Sequence, residues 1–163
     1  MLKRILLAAV LLAAAAVAVY FLTNTETRRI RRQLDAVAEA VSKEAGEGNI
    51  AMVYKMQVLG NLLAEHVSVR FRDYPYVGET SGTELVSLAT RGRTYFKSLS
   101  INILDAEIDI YAEGKARCRC PAKVVSEGGQ RRYNEKHYFD AELVKADGKW
   151  RFTSFHEDEL LKR

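Results

Sequence analysis

The chain has 163 residues, of which 48% are hydrophobic and 28% are charged. These are ordinary values for a globular protein and exclude a wholly disordered chain. The formal net charge is +4, but Lys3 and Arg4 precede every acidic residue. Without these two, the rest of the chain carries 23 basic and 21 acidic side chains. This near-neutral balance argues against a nucleic-acid partner.

The first predicted element is an N-terminal hydrophobic helix. Residues 5–22 contain no charged side chain, and at 1.5 Å per residue they would span about 27 Å, the thickness of a bilayer core. We therefore predict a transmembrane helix, with residues 1–24 as a membrane anchor and residues 25–163 as one soluble domain. A cleaved signal peptide is the alternative, since Ala16-Val17-Ala18 would serve as a cleavage site. Cleavage there would leave an apolar new N-terminus, so we favour the uncleaved anchor.

The basic residues beside this segment predict its orientation. Lys3 and Arg4 favour a cytoplasmic N-terminus. The arginines that follow the segment compete with them: Arg28, Arg29, Arg31 and Arg32. We predict a single-pass protein of the inner (cytoplasmic) membrane, with its domain outside the cytoplasm.

Three further helices are predicted before the main β region. Thr23 and Glu26 form a capping-box pattern that would start a new helix. Helix-spaced apolar positions follow it at Ile30, Leu34, Val37 and Val41. A second helix is expected at residues 49–65 and a third at residues 83–99. Between them, alternating residues 67–71 predict a strand, followed by a turn at Tyr74-Pro75-Tyr76.

The rest of the chain predicts β-strands at residues 100–111, 115–125, 132–145 and 149–155. One face of the second of these strands carries Ala116, Cys118, Cys120, Ala122 and Val124. A bulge or an unpaired position is expected at Pro121, since proline cannot donate to a ladder. Gly128-Gly129 and Asp147-Gly148 each predict a two-residue hairpin turn.

This order of elements resembles the nuclear transport factor 2-like superfamily, which includes ketosteroid-isomerase-like and polyketide-cyclase-like domains. The local matches are the closing hairpin at residues 145–152, with its Asp-Gly-Lys-Trp run, and Gly48-Asn49 at the start of the second helix. The resemblance covers residues 26–157. It implies an α+β fold in which three helices pack on a strongly curved, mostly antiparallel sheet, forming a cone with a pocket.

The resemblance leaves two functions open, because the superfamily includes enzymes, binding proteins and scaffolds. Membrane-anchored members resemble assembly subunits, such as the inner-membrane component of type IV secretion systems and proteins of lipid-import machines. We predict a non-catalytic binding or assembly domain tethered to the membrane, with a protein partner on the outer sheet face. The alternative is a small pocket enzyme of the isomerase, dehydratase or hydrolase kind.

The choice depends on a carboxylate inside the cone, which an enzyme of this family needs as a general base. Strand alternation places Asp140 and Glu142 on the outer face, together with Arg117 and Arg119. No catalytic residue is therefore assigned, and no cofactor is predicted.

Five side chains are candidates for binding a small-molecule ligand in the pocket: Tyr54, Tyr95, Cys120, His137 and Trp150. The competing interpretation, which we favour, is that they are core aromatics, a buried thiol and one hydrogen-bonded histidine.

A metal site is the remaining alternative. Two-residue turns would place Cys120 opposite His137 and Phe139 opposite His156, which would gather thiols and imidazoles on one patch. The outer members of that patch would be about 9–10 Å apart, two strands across the sheet, which is too far for one tetrahedral ion. We therefore predict no metal.

Overall fold

The computed structural model describes residues 2–71, 77–129 and 132–158. Its first element is helix α1, Leu2–Val41, a continuous helix of 40 residues. The helix passes through Thr23 without the new start that the capping-box pattern predicts. Its second half packs on the rest of the domain through Ile30 and Leu34, both of which are buried.

The predicted transmembrane helix is wrong. Within the described part of the chain, no helix is both long enough and apolar enough to cross a membrane. Residues 5–22 form the beginning of α1, and the same helix continues into the charged, domain-packed segment that ends at Val41. The sequence interpretation treated a portion of one long helix as a separate element.

Two shorter helices follow α1. Helix α2 spans Asn49–Leu62 and helix α3 spans Gly82–Thr94. Both end earlier than predicted because the chain passes into strands β1, Leu63–Arg70, and β3, Ser98–Ile103. Strand β2, Val77–Ser81, lies between β1 and α3 in the chain. Its last residue caps α3, since the Ser81 hydroxyl accepts a hydrogen bond from the Glu84 amide. The predicted turn at Tyr74-Pro75-Tyr76 lies outside the described residues.

The remaining strands complete a curved, mostly antiparallel sheet. They are β4, Glu107–Ala112, β5, Lys115–Glu127, β6, Asn134–Ala146, and β7, Lys149–Glu157. The strand order is β2-β1-β7-β6-β5-β3, and β4 also pairs with β5. Only the β1–β7 pair is parallel among the pairs that the structure describes. The α+β cone that the sequence predicts is confirmed.

The single strand predicted at residues 100–111 is two strands, and Pro121 lies where β5 changes partner between them. Strand β3 pairs with β5 as far as Ala122, and β4 takes over at Arg119. No bulge forms at Pro121, because the β5–β6 register continues through the pair Pro121–Tyr138. The predicted alternative, an unpaired position, is found on the other side of β5, where Pro121 pairs with neither β3 nor β4. The Pro121 carbonyl accepts a hydrogen bond from the Leu104 amide, in the connection between β3 and β4. The nitrogen and carbonyl of one strand residue point to the same side, so the proline nitrogen also faces this gap between β3 and β4, where no hydrogen-bond donor is needed.

The two predicted hairpin turns have different outcomes. Asp147-Gly148 is confirmed: Ala146 pairs with Lys149, and the turn residues have φ angles of 51° and 74°. The two-residue turn at Gly128-Gly129 is wrong, because the nearest strand pair is Val125–Asn134. That connection packs instead against the segment after α3, where a Cβ on Gly128 would lie 2.8 Å from the Lys97 backbone nitrogen.

This longer connection moves the β5–β6 register by two residues. His137 therefore pairs with Ala122, and Cys120 pairs with Phe139. The predicted pairing of Cys120 with His137 is wrong, and the patch of thiols and imidazoles does not form. Strand alternation is otherwise as expected: Cys118 and Cys120 are buried on the inner face, while Arg117 binds Glu142 on the outer face at 2.8 Å.

Candidate functional site

A cavity of about 930 Å³ opens at one end of the curved sheet. It lies between the C-terminal end of α3, strand β3 and the adjoining ends of β5, β6 and β7. Its wall is mostly aromatic and aliphatic and includes Phe71, Tyr95, Phe96, Leu99, Ile101, Val124, Tyr133 and Phe139. A concave, largely apolar cavity of this size with few polar groups is typical of a small-molecule site.

The polar centre of this cavity is a histidine–carboxylate pair. His137 Nδ1 lies 2.7 Å from Glu157 Oε1, and both residues line the cavity. The side chains are 21% and 12% exposed. Since an ionised carboxylate can only accept a hydrogen bond, Nδ1 is the donor to Glu157, which leaves Nε2 as the nitrogen that can exchange a proton with a ligand.

A β-bulge in β7 turns Glu157 into the cavity. Leu143 pairs with Phe152 and Glu142 pairs with Ser154, so Thr153 is an extra residue in β7. Side chains of β7 form hydrogen bonds with the backbone of Glu142, opposite the bulge. The Thr153 hydroxyl donates to the Glu142 carbonyl, and the Glu142 amide donates to the Ser154 hydroxyl, each at 3.2 Å. One added residue reverses the alternation beyond it. Glu157 therefore lies opposite Phe139, on the inner face.

The bulge also turns His156 away from the cavity. His156 pairs with Asp140 on the outer face and contacts the Ser68 hydroxyl at 3.1 Å. The predicted pairing of Phe139 with His156 is therefore wrong, and only one of these two histidines lies inside the cone.

Aromatic rings hold His137 in place. Its ring stacks on Phe139 with a centroid distance of 6.2 Å and an interplanar angle of 21°. Phe71 packs edge-on against the same Phe139 at 6.3 Å. A ring that is stacked on one side and hydrogen-bonded at Nδ1 has little rotational freedom, so Nε2 has a fixed direction.

A second carboxylate lies at the other nitrogen of the same imidazole. Glu135 Oε2 is 3.7 Å from His137 Nε2, and the Glu135 side chain is 59% exposed. This distance is too long for a hydrogen bond. Glu135 is on the same face of β6, two residues before His137, and it lies outside the residues that line the cavity.

The five side chains predicted to bind a ligand are divided between the cavity, the core and the surface. His137 and Tyr95 line the cavity, with Tyr95 largely exposed at its mouth. Tyr54 is 67% exposed on α2 and is not part of the cavity wall. Cys120 is buried in the core, and Trp150 lies at the opposite end of the sheet.

Both cysteines are buried in the core, away from the cavity wall. Burial raises the pKa of Cys118 to about 12 and that of Cys120 to about 11, so both thiols stay protonated at neutral pH. In the described residues, no group of three or more His, Cys, Asp or Glu side chains is placed to hold a metal ion.

Trp150 instead connects the closing hairpin to α1. Its indole Nε1 donates to Glu26 Oε2 at 2.6 Å, and Lys145 Nζ donates to the same oxygen at 3.0 Å. Burial alone would raise the pKa of Glu26. The hydrogen bonds from Trp150 and Lys145, with the charges of Lys145 and Arg29, outweigh burial and hold the pKa below its ordinary value.

The lowered pKa of Glu26 predicts an acid-dependent loss of stability. Its contribution is complete above the ordinary pKa of 4.5 and is lost as pH falls through the lowered value. We expect Glu26→Gln to lower the free energy of unfolding by about 1–2 kcal/mol at neutral pH. The difference from the unmodified chain should shrink below about pH 4. Urea unfolding followed by fluorescence of the single tryptophan measures it. Glu39→Gln, on the exposed face of α1, is the control, and a difference that is the same at both pH values would contradict the assignment.

Glu157 is the candidate site residue that the sequence interpretation missed. The predicted final strand ended at Phe155, and simple alternation from Trp150 and Phe152 would place the next inward residues at Ser154 and His156. The signal was available in the sequence, since the large apolar residues fall at positions 150, 152 and 155. A change from even to odd spacing indicates a bulge between Phe152 and Phe155.

Known proteins resemble this chain in structure. No family model and no curated protein matches the sequence. A candidate scytalone dehydratase from Novosphingobium aromaticivorans aligns with a TM-score of 0.65 and 20% identity, over 83% of this chain and 84% of that protein. A candidate dehydratase of the NTF2-like family from Streptomyces avermitilis aligns with a TM-score of 0.66 and 14% identity, over 85% and 99%.

A third neighbour is a candidate aromatic ring hydroxylase from Novosphingobium aromaticivorans. It aligns with a TM-score of 0.64 and 13% identity, over 82% of this chain and 87% of that protein. These similarities establish a shared fold, so the resemblance that the sequence suggested is confirmed at the level of the nuclear transport factor 2-like fold.

Proposed function

We propose that this chain is a small acid–base enzyme of the dehydratase or isomerase kind, with His137 as its general base. The observation that carries the proposal is the 2.7 Å contact between His137 Nδ1 and Glu157 Oε1 inside an apolar cavity. A histidine oriented by a carboxylate is a common arrangement for proton transfer to and from a substrate.

The proposed reaction needs only proton transfers. Nε2 of His137 takes a proton from a carbon next to a carbonyl group, and Glu157 stabilises the imidazolium that results. In a dehydration, the imidazolium returns the proton to the leaving hydroxyl group, so that the substrate divides into an unsaturated carbonyl compound and water. In an isomerisation, the proton returns to another carbon.

The fold neighbours support an elimination reaction. Two of those reported above are named as candidate dehydratases. The apolar wall of the cavity would exclude water and strengthen the electrostatic interactions of His137 and Glu157. Its aromatic rings favour a substrate with a flat, unsaturated body.

The scaffold role predicted from the sequence remains a prediction. The lack of an inward carboxylate no longer favours it over an enzyme, because Glu157 lies on the inner face opposite Phe139. A protein partner on the outer sheet face also remains a proposal. That face carries Arg117 between Asp140 and Glu142 at 3.6 Å and 2.8 Å, so a contact there should weaken as salt concentration rises.

A substrate screen tests the enzymatic proposal. The purified full chain is incubated with a panel of aryl β-hydroxy ketones of one to three rings, and formation of the conjugated product is followed by ultraviolet absorbance. We expect elimination above the buffer rate for part of the panel. The same low rate with the protein and with buffer throughout the panel would count against a dehydratase.

A further inference from the structure

We infer that the cavity selects its ligand by charge and favours a compound in which a positively charged amino group is attached to an aromatic or apolar body. The inference rests on the proposed function, since the cavity is the same one. It adds a substrate class and assigns Glu135 as the residue that determines it.

Glu135 lies beside His137, just outside the residues that line the cavity. Its carboxylate lies 3.7 Å from His137 Nε2, the nitrogen that Glu157 leaves available. The side chain is 59% exposed, so its negative charge is accessible from solvent and lies next to the imidazole that a ligand in the cavity would contact. A cation on the ligand would be attracted there, and an anion would be repelled.

The cavity wall supplies aromatic rings that also favour a cation. Phe96 and Tyr133 form an edge-to-face pair with centroids 6.1 Å apart, and Phe71 and Phe139 form another at 6.3 Å. The faces of such rings carry partial negative charge and attract ammonium groups. Aromatic walls beside a carboxylate are the usual surroundings of an organic cation in a protein.

The charge balance of the wall points the same way. Among the described residues that line the cavity, none is a lysine or an arginine, and His137 and Glu157 are the ionisable side chains apart from two tyrosines. A ligand carboxylate or phosphate that entered the cavity would lose its hydration and would find no lysine or arginine in this wall to pair with, which costs free energy.

Three naphthalene probes of nearly equal size test the inference: naphthylmethylammonium, naphthylmethanol and naphthoate. Calorimetric titration of the full chain at neutral pH should give the affinity order ammonium, alcohol, carboxylate. We expect the affinity to fall by about tenfold from each probe to the next, because a single nearby charge in a partly solvated site has an effect of this size. Equal affinities, or tightest binding of naphthoate, would overturn the inference.

The variant Glu135→Gln assigns the selection to one residue. It should reduce the ratio of ammonium to carboxylate affinity by about tenfold, while the alcohol affinity changes by less than about twofold. Glu113→Gln, in the exposed turn between β4 and β5 at the far end of the sheet, is the control and should leave all three affinities unchanged. An unchanged ratio in Glu135→Gln would refute the role of Glu135.

The outcome separates this inference from the proposed function. Binding of all three probes with no charge preference overturns the inference but leaves an apolar cavity that can serve an enzyme. A correct charge order in a protein without eliminating activity supports the inference and counts against the dehydratase. Binding of none of the probes overturns the inference, and the activity of His137 variants then judges the enzymatic proposal separately.

Discussion

Replacing His137 with glutamine is expected to lower kcat for the proposed elimination by about 10²- to 10⁴-fold, the usual contribution of a general base. Glutamine keeps a polar side chain of similar length but cannot accept and return a proton at neutral pH. Since the loss concerns proton transfer, it should fall mainly on kcat, with a smaller change in KM. Initial rates with a substrate from the screen provide the measurement.

A matched histidine gives the control for this prediction. His66 lies on β1 with an exposed side chain, so His66→Gln should retain the activity of the unmodified chain. Glu157→Gln should lower kcat as well, because the neutral amide no longer stabilises the imidazolium. If His137→Gln retained kcat within about twofold, His137 would not be the general base.

The second large effect concerns stability. Replacing Arg93 with methionine is expected to lower the free energy of unfolding by about 3–5 kcal/mol, the usual cost of removing one partner from a buried ion pair. Arg93 is almost fully buried in α3. It donates to the carbonyls of Ala40 and Ser42 at 3.1 Å and 2.9 Å, and it binds the Glu47 carboxylate. The arginine therefore joins α3 to the end of α1 and the connection after it.

The lost free energy has two sources: the Ala40 and Ser42 carbonyls lose a buried donor, and Glu47 stays buried with Lys55 as its remaining partner, at 2.7 Å. Burial would raise the pKa of Glu47, but the hydrogen bond from Lys55 and the charges of Arg93 and Lys55 together hold it below its ordinary value. Denaturant unfolding of Arg93→Met measures the effect, with the exposed Arg91→Met as its control. A loss no larger than that of Arg91→Met would show that the ion pair contributes little.

Much of the fold follows from local patterns in the sequence. Regular alternation identified the inner face of β5, beginning at Ala116, and the inner face of β6, as far as Leu143. The Asp147-Gly148 turn was predictable because both residues tolerate positive φ, which a type I′ turn requires. These features depend on neighbouring residues alone, and neighbouring residues are what a single sequence displays.

The errors concern interactions between distant parts of the chain. The connection at Gly128-Gly129 is set by packing against Lys97, about 30 residues earlier. Local turn preferences therefore gave a register displaced by two residues. Residues 5–22 have the composition of an isolated apolar helix, and only the continuation of α1 onto the domain shows them as part of a longer element.

The candidate site was missed for a related reason. Alternation is a reliable guide only while the ladder is regular, and one extra residue at Thr153 reverses it. His137 was correctly placed on the inner face from its own strand. Its partner Glu157 lies beyond the bulge, whose signal in the apolar spacing of β7 was not used. Strict alternation therefore placed no carboxylate inside the cone and favoured a non-catalytic domain.

The most direct test of this account is nitrogen NMR of the His137 side chain, which reports the ring nitrogen that carries the proton. Long-range proton–nitrogen spectra separate the three histidines when His66→Gln and His137→Gln are used for assignment. At alkaline pH, where imidazole rings are neutral, we expect His137 to carry its proton on Nδ1, held by Glu157, and to lose this preference in Glu157→Ala. A proton on Nε2 in the unmodified chain, or the same spectrum in Glu157→Ala, would contradict the histidine–carboxylate pair on which the proposed function rests.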